Sequence, residues 1–264
     1  MVDLDGTILQ HGQRVVSPEI SAIFSILQNR KQLIVNSARH PEAIRTALGP
    51  KVNFASSIAL NGAVLFCDNW NSPYVLNGFK PKEVSSIIRY AKETLVSLCV
   101  FTLDSWYVSQ FDNFIMEESV ITGMTPISID LLNTQEFDCY KITAISENEK
   151  LDLFKCKLEA FPNIISDLSK SNYLEISPRG IDKSTLIPKF ISSIGEKRNS
   201  VKIHFWGDSY NDIPCALYAD YVYSYSHSPE ELKELSNKIF NINNGVDILK
   251  FLKEILSSWT IRPL

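Results

Sequence analysis

The chain opens with two carboxylates one residue apart, Asp3 and Asp5, in the stretch MVDLDGT. Gly6 follows at once and permits a tight turn, so the two side chains can point in different directions. One carboxylate can then attack phosphorus and form an acyl phosphate, while its neighbour exchanges a proton with the leaving oxygen. We therefore expect Asp3 to be a nucleophile and Asp5 to be a general acid and base.

Further polar side chains stand where apolar runs end. Ser37 follows KQLIVN, Lys183 begins the segment KSTL, and Asp208 and Asn211 follow VKIHFWG. Such positions meet in space, because the carboxyl ends of parallel strands share one edge of a sheet. Asp3 and Asp208 supply the hard oxygen ligands that Mg2+ prefers. The hydroxyl, ammonium and amide groups of the other residues suit an anionic cluster of oxygens, so the set predicts a phosphate group beside a magnesium ion.

Alternating strand and helix patterns must position these residues. The segment SPEISAIFSILQNR has the apolar spacing of one helical face, and PEAIRTALG reads as a second helix that ends at Gly49. Between and after them, KQLIV and SSIALN are short apolar runs of strand type. Near-continuous apolar strands alternating with helices predict a parallel sheet that is covered on both faces.

The middle of the chain has a different pattern of predicted helices and strands. It contains the helical pattern KPKEVSSIIRYAKETL, a hairpin signal at DS within SLCVFTLDSWYVSQF, and the β-rich runs DCYKITAIS, NIISDLS and NYLEIS. The alternating pattern resumes with the helix DKSTLIPKFISSIG and the strand VKIHFW. The predicted fold class is α/β, with a doubly wound parallel-sheet (Rossmann-like) core of residues 1–79 and 178–264. Residues 80–177 form an inserted α+β cap.

Composition excludes several classes of protein. The 264 residues carry a formal net charge of -4, which gives no support for nucleic-acid binding. No apolar run approaches the roughly 20 residues of a membrane span. Five scattered cysteines without a CxxC pair argue against a disulfide framework or a zinc site and favour a reducing compartment. We expect a cytoplasmic protein, a monomer or weak homodimer, that binds neither nucleic acid nor membranes.

Four motifs in order carry a resemblance to a known family. DLDGT, NSAR, NYLEISPRGIDKSTL and WGDSYNDIP resemble the motifs of the haloacid dehalogenase-like hydrolases. More narrowly, the chain resembles the Cof-type phosphatases, whose cap is inserted between the second and third motifs. The resemblance spans nearly the whole chain. It implies Mg2+-dependent hydrolysis of a phosphomonoester of a small metabolite, such as a sugar phosphate, through an aspartyl-phosphate intermediate.

The resemblance also implies roles for the acidic residues. Asp3 would be the nucleophile and a Mg2+ ligand, and Asp5 the general acid and base that gives the metal its backbone carbonyl. Asp208 would be the second carboxylate on Mg2+. Asp212 would support the metal shell or the catalytic lysine.

Phosphate binding would fall to a second group of residues. Ser37, together with the backbone of Leu4 and Ala38, would hold the phosphate. Lys183 would neutralise it and orient the nucleophile. Asn211 would touch it from the fourth motif. Such a site works by positioning and charge stabilisation.

The chain departs from the family pattern in three places. Only Met1 and Val2 precede the nucleophile, whereas a strand usually has about five to six residues. We therefore expect unpaired backbone groups on the neighbouring strands, and favour a true start upstream over a destabilised remnant. Ala38 replaces the usual glycine of the second motif. The stretch SYSHSPEEL is bulkier than the family's small-residue run, so His227 could alter the fit of a substrate.

Two other functions stay open. A phosphomutase would share the cap type and the opening motif, although the short GDSYND favours hydrolysis. A catalytically silent binding or regulatory protein of the same fold would explain the missing strand. Several other side chains are expected to have structural roles: Arg39 braces a loop, Lys141 pairs locally, His40 lies in a loop, His204 is a packed core or sheet residue, and Cys215 contributes to packing.

Overall fold

The computed structural model describes residues 1–10, 13–29, 33–50, 52, 56–67, 73–76, 78–131, 137–170, 172–241 and 250–254. Lys31 and Gln32, at the start of the predicted strand KQLIV, lie outside these residues. The helices are α1 (Pro18–Asn29), α2 (Pro41–Leu48), α3 (Pro81–Thr94), α4 (Asn113–Thr122), α5 (Asn148–Leu158), α6 (Ile187–Ser193), α7 (Ile213–Tyr218) and α8 (Glu230–Glu234). None of the helices in this part of the chain has the length and apolar character needed to span a bilayer.

The strands form two sheets that are separate in sequence. The strands are β1 (Ile34–Asn36), β2 (Ser56–Ala59), β3 (Val64–Phe66), β4 (Tyr74–Val75), β5 (Ser97–Phe101), β6 (Trp106–Val108), β7 (Ile127–Ser128), β8 (Lys141–Ile145), β9 (Ile164–Lys170), β10 (Tyr173–Pro178), β11 (His204–Trp206), β12 (Tyr221–Tyr225) and β13 (Lys238–Phe240). The first sheet joins β1–β4 to β11–β13, and the second has the order β7-β6-β5-β8-β10-β9.

Val2 is the link between the two halves of the first sheet. It forms parallel bridges to Val35 on β1 and to Trp206 on β11. Its N–H donates to Ile34 O (3.0 Å), its carbonyl accepts from Asn36 N (2.8 Å), and Asp3 N donates to Trp206 O (2.9 Å). The expectation of unpaired groups beside the short first strand is therefore wrong for these residues. The flanking strands β1 and β11 have only three residues each, so a short segment is enough to pair with both.

The first sheet is covered by apolar clusters on both faces. Along each strand successive side chains point to opposite faces, and neighbouring residues of β1, β2, β11 and β12 accordingly belong to different clusters. One cluster includes residues of α1 and α2, and the other includes residues of α6, α7 and α8. Strands β1 and β2 pair in parallel, as do β11, β12 and β13. The predicted α/β fold with a two-sided parallel sheet is confirmed.

The inserted segment 80–177, which we call the cap, forms the second sheet. Its strand pairs are antiparallel except for β6 with β7. Helices α3 and α5 cover one face of it, through a cluster that includes Ile87 and Phe154. The hairpin predicted at Asp104 and Ser105 joins β5 to β6. The division of the chain into a core domain and a cap domain of residues 80–177 stays a prediction.

Helix α4 and the start of helix α6 differ from the sequence expectation. Helix α4 was not predicted, and its apolar residues are not confined to one face, because Met116 and Val120 are exposed while Ile115 is buried. Asp112 begins it by accepting a hydrogen bond from Ile115 N at 3.0 Å. Helix α6 begins at Ile187 rather than near Asp182, because the Asp182 carboxylate accepts from Ser184 N at 2.7 Å and holds a turn first.

Candidate active site

The turn after the first strand segment brings the opening carboxylates to the edge of the sheet. The carbonyl of Leu4 accepts the backbone N–H groups of Thr7, Ile8 and Leu9, so the chain folds back directly after Asp5. Gly6 has φ +79°, and a Cβ atom there would lie 2.1 Å from Asp208 Oδ2. The glycine is therefore needed both for the turn and for the close approach of the two motifs.

Lys183 joins three distant parts of the sequence. Its Nζ donates to Asp3 Oδ1 at 2.8 Å and to Asp212 Oδ1 at 2.7 Å, and all three side chains are buried. Burial alone would lower the pKa of the Lys183 ammonium, but Asp212 and Asp3 outweigh burial and raise that pKa above its ordinary value. The lysine is thus a fixed positive charge beside the predicted nucleophile.

Asp208 and Asp212 follow β11 and have different surroundings. Asp208 Oδ1 accepts from Thr7 Oγ1 at 2.8 Å, and the Asp208 carboxylate lines a cavity. Asp212 is fully buried, and its Oδ2 accepts the backbone N–H groups of Asp208 (2.9 Å) and Ser209 (3.1 Å). Asp212 therefore supports Lys183 and the loop that carries Asp208.

A divalent cation fits the acidic cluster. Carboxylate oxygens of Asp3, Asp208 and Asp212 lie within 4.8 Å of one another. Burial and the neighbouring carboxylates raise the pKa of Asp3 well above its usual range, although Lys183 opposes the rise. Burial and then Asp212 raise the pKa of Asp208 to about 6. Crowded hard oxygen donors of this kind match the preference of Mg2+, and Asp3 and Asp208 are the two that face the cavity.

The predicted phosphate-binding residues differ in whether they reach the cavity. Ala38, Asn211 and Lys183 line the cavity, whereas Leu4 and Ser37 are fully buried and do not. Ser37 Oγ accepts a hydrogen bond from Arg39 N at 3.2 Å. The phosphate contacts of all five stay predictions.

Arg39 has a larger role than bracing a loop. Its Nε donates to Asp5 Oδ2 at 2.8 Å and its Nη2 to Asp5 Oδ1 at 2.7 Å, the paired geometry in which a guanidinium fits a carboxylate. The Arg39 side chain is buried, and that of Asp5 is about half exposed to the cavity. No local pattern in the sequence predicts this pair, because 34 residues separate its members.

Residues of the cap also line the cavity beside these residues. The cavity has a volume of about 400 Å³ and is lined by residues of the cap and by residues of the loops and turns beside the first sheet. Lys141 on β8 pairs with Glu175 Oε2 on the neighbouring strand β10 at 2.8 Å, so its partner is close in the sheet and not, as expected, close in the sequence. The same ammonium also donates to Ala38 O at 3.0 Å, so it links the cap to the loop that follows β1. Sequence reasoning missed this contact.

The structure places the remaining candidates as follows. His227 lines the cavity, with Nε2 3.4 Å from Asp208 Oδ2, so the predicted proximity of this bulky residue to the site is confirmed. His204 stacks on Tyr221 within the sheet, and Cys215 is fully buried. His40, expected in a loop, is the buried residue that begins α2, where its Nδ1 accepts from Glu42 N at 3.1 Å.

Comparison with solved structures places this arrangement in a known fold. A haloacid dehalogenase-like hydrolase from Bacteroides thetaiotaomicron superposes with a TM-score of 0.83 at 19% identity, covering 96% of this chain and 97% of that one. A haloacid dehalogenase-like hydrolase from B. subtilis has a TM-score of 0.78 at 19% identity, with coverage of 96% and 99%. The HAD subclass IIB sugar phosphatase BT4131 has a TM-score of 0.76 at 15% identity, with coverage of 96% and 97%.

Sequence comparison agrees with the structural likeness. No curated protein matches the chain. The sequence profile of the haloacid dehalogenase-like hydrolases, however, matches residues 1–252, which include both parts of the first sheet and the whole cap. The resemblance of the four motifs is thereby confirmed, and the chain belongs to the haloacid dehalogenase-like hydrolases.

Proposed function

We propose that this hydrolase is a Mg2+-dependent phosphatase that cleaves phosphomonoesters of small metabolites through an aspartyl phosphate on Asp3. The observation that carries the proposal is the contact of one buried ammonium, Lys183, with Asp3 and with Asp212, beside the cavity-facing Asp208. This geometry supplies a fixed nucleophile, a positive charge and an acidic cluster at one end of a cavity that is partly open to solvent. The likeness of this fold to that of the sugar phosphatase BT4131 supports the proposal.

In the first half of the proposed reaction, an Asp3 carboxylate oxygen attacks phosphorus and the bond to the leaving oxygen breaks. Asp5 lies two residues away and, in its protonated form, gives that oxygen its proton. Arg39 then holds the Asp5 carboxylate that remains in a fixed orientation. Lys183 balances the negative charge that develops beside Asp3.

In the second half, Asp5 takes a proton from a water molecule that attacks the phosphorus of the aspartyl phosphate. The bond between phosphorus and Asp3 then breaks, which restores the carboxylate and releases inorganic phosphate. Asp3 and Asp208 would hold Mg2+, which supplies positive charge to the phosphoryl oxygens when bound. The cap limits the access of bulk water during both steps.

The test is release of phosphate from a panel of phosphorylated metabolites and from p-nitrophenyl phosphate, with Mg2+ or with a chelator. We expect release only with Mg2+, and a loss of at least about a thousandfold in Asp3→Asn, because the nucleophile is gone. Asp130→Asn is the matched control, since Asp130 is exposed on the cap.

Two results would contradict the proposal. Hydrolysis that persists in Asp3→Asn would exclude an aspartyl phosphate on that residue. Absence of phosphate release from every substrate, by a folded protein that binds Mg2+, would favour the silent binding protein. If a sugar monophosphate supplied with trace bisphosphate is isomerised without release of phosphate, the protein is a phosphomutase.

A further inference from the structure

One face of the cap sheet is turned toward the cavity. Because side chains alternate along a strand, every second residue of β5, β8 and β10 faces the cavity, and the residues between them pack under α3 and α5. Cys99, Thr143 and Glu175 are cross-strand neighbours and form one row of this face. The cavity-facing residues of these strands are Cys99, Phe101, Lys141, Thr143, Ile145, Tyr173 and Glu175.

The cavity contains more acidic than basic side chains. Among the described residues, the lysines and arginines that line it are Arg39, Lys141 and Lys183. Each of them already contacts a carboxylate: Arg39 holds Asp5, Lys141 pairs with Glu175, and Lys183 bonds to Asp3 and Asp212. The lining carboxylates are Asp3, Asp5, Glu118, Glu175 and Asp208.

Glu118 is the carboxylate of the cap that has no ion-pair partner among the described residues, although its charge also acts on the Arg39 guanidinium that Asp5 holds. It projects from α4, and its Oε1 accepts a hydrogen bond from Tyr173 Oη at 2.7 Å. Burial, and then the charge of Glu118, raise the pKa of the Tyr173 hydroxyl, so Tyr173 stays a neutral donor. No lysine or arginine in the described part of the chain lies within ion-pair distance of Glu118. The cap contributes one cation, Lys141, and two carboxylates, Glu175 and Glu118, to the lining of the cavity. The cap half of the cavity therefore has a net negative charge.

Under the proposed function, the two ends of the cavity bind different parts of a substrate. The phosphate belongs with Lys183, Ala38 and Asn211 at the core, so the leaving group must extend toward the cap sheet. A second anionic group there would meet Glu118 and would find Lys141 already paired, and partial burial in the cavity increases the cost of this repulsion over its cost in bulk water. Hydroxyl groups can instead donate to the two cap carboxylates, while carbon atoms contact Phe101 and Trp106.

We infer that the cap half of the cavity selects phosphomonoesters whose leaving group carries hydroxyl groups and no second negative charge. The inference rests on the proposed phosphatase function and adds a rule for the substrate. It also argues against a bisphosphate, because a second phosphate group needs cations that the cap does not leave free. Selection arises here from repulsion of the wrong ligand as much as from attraction of the right one.

The test compares two substrates with the same carbon chain and the same phosphate ester, sorbitol 6-phosphate and 6-phosphogluconate. The second replaces a terminal hydroxymethyl group by a carboxylate. We expect kcat/KM to favour sorbitol 6-phosphate by at least about tenfold. Glu118→Gln removes the unpaired charge and should narrow that ratio by about threefold or more. Glu175→Gln leaves the Lys141 ammonium free to attract the carboxylate of 6-phosphogluconate. This variant should therefore also narrow the ratio of the two kcat/KM values.

The matched control is Glu117→Gln, since Glu117 is the exposed neighbour of Glu118 on α4 and does not line the cavity. A purely structural role of Glu118 would lower kcat/KM for both substrates equally and would leave the ratio unchanged. An unchanged ratio in both glutamine variants, or equal use of the two substrates by the unaltered protein, overturns the inference while p-nitrophenyl phosphate is still cleaved. Loss of cleavage of all three substrates by the unaltered protein would overturn the proposed function itself.

Discussion

Lys183 and Asp212 are joined by a buried ion pair of 2.7 Å, and the same ammonium reaches Asp3 at 2.8 Å. Removing one partner of a buried ion pair leaves an uncompensated charge in the interior. Lys183→Met should therefore lower the free energy of unfolding by about 3–5 kcal/mol in the presence of a chelator. Chemical denaturation measures this loss, and exposed Lys197→Met, the control, should change it by less than about 0.5 kcal/mol.

Mg2+ offers a second readout of the same variant. A divalent ion beside Asp3 and Asp208 would neutralise part of the charge that the lysine no longer balances, so added Mg2+ should stabilise Lys183→Met more than it stabilises the unaltered protein. A Lys183→Met protein with unaltered stability would show that the three side chains do not form the buried cluster described above.

The sequence predicted the elements that have strong local patterns. Helix α3 has apolar residues on one face, and the β5–β6 hairpin has a turn signal between two β-rich runs, so both could be found from neighbours in sequence. Helix α4 could not, because its exposed Met116 and Val120 obscure the period that distinguishes a surface helix. Strands β12 and β13 went unpredicted, although each pairs with a strand that is its neighbour in sequence.

The residues of the site also divide into those with a local sequence pattern and those without one. Asp3, Lys183 and Asp208 follow recognisable motifs, and the structure brings them to one cavity as expected. The bond of Lys141 to Ala38, across 103 residues, has no local signal, because it depends on how the cap lies against the core. Glu118 was missed for the same reason.

Arg39 should act on the reaction through Asp5. A lysine cannot reproduce the two parallel hydrogen bonds of the guanidinium, so Arg39→Lys should leave the Asp5 carboxylate less well oriented. We expect kcat/KM for sorbitol 6-phosphate to fall by about tenfold or more, because its alkoxide must be protonated as it leaves. For p-nitrophenyl phosphate the fall should be smaller, since nitrophenolate leaves without a proton.

Arg45→Lys is the control for this experiment. Arg45 lies on α2 and pairs with Glu42 on an exposed surface, so its replacement should affect neither substrate. Equal losses for both substrates in Arg39→Lys would contradict the role through Asp5 and would leave Arg39 as a structural residue.

His40 should make the protein less stable in mild acid. Its buried imidazole accepts a hydrogen bond at the start of α2, and burial lowers its pKa from 6.5 to about 4. The unfolded chain therefore binds a proton at higher pH than the folded chain does. The stabilising effect of the neutral ring is fully present above pH 6.5 and is lost as the pH falls toward 4.

His40→Asn isolates this effect, because asparagine also accepts a hydrogen bond at the start of a helix but does not titrate. Between neutral pH and about pH 5, the unaltered protein should lose about 2 kcal/mol more of its free energy of unfolding than the variant does. Urea denaturation across that range measures the difference. Parallel pH profiles for the two proteins would show that His40 can take up a proton without disturbing the folded state.

Gly62 should be needed for the position of Lys183. Its φ is +100°, and a Cβ atom there would lie 1.8 Å from the carbonyl oxygen of Asp182, the residue before the lysine. Gly195 also has a positive φ, of +80°, but a Cβ atom at that position would meet nothing within 4 Å. Alanine at either position has the strain of a left-handed backbone, about 1–2 kcal/mol, and only Gly62→Ala adds a backbone collision.

We therefore expect Gly62→Ala to lower the free energy of unfolding by about 1–3 kcal/mol more than Gly195→Ala does. The collision can be relieved only by moving the turn that carries Lys183, so phosphate release should fall in Gly62→Ala at temperatures where both variants are fully folded. Denaturation and rate measurements on the two proteins supply the comparison. If both variants lose the same stability and keep the same activity, the close approach of Gly62 to Asp182 does not fix the lysine.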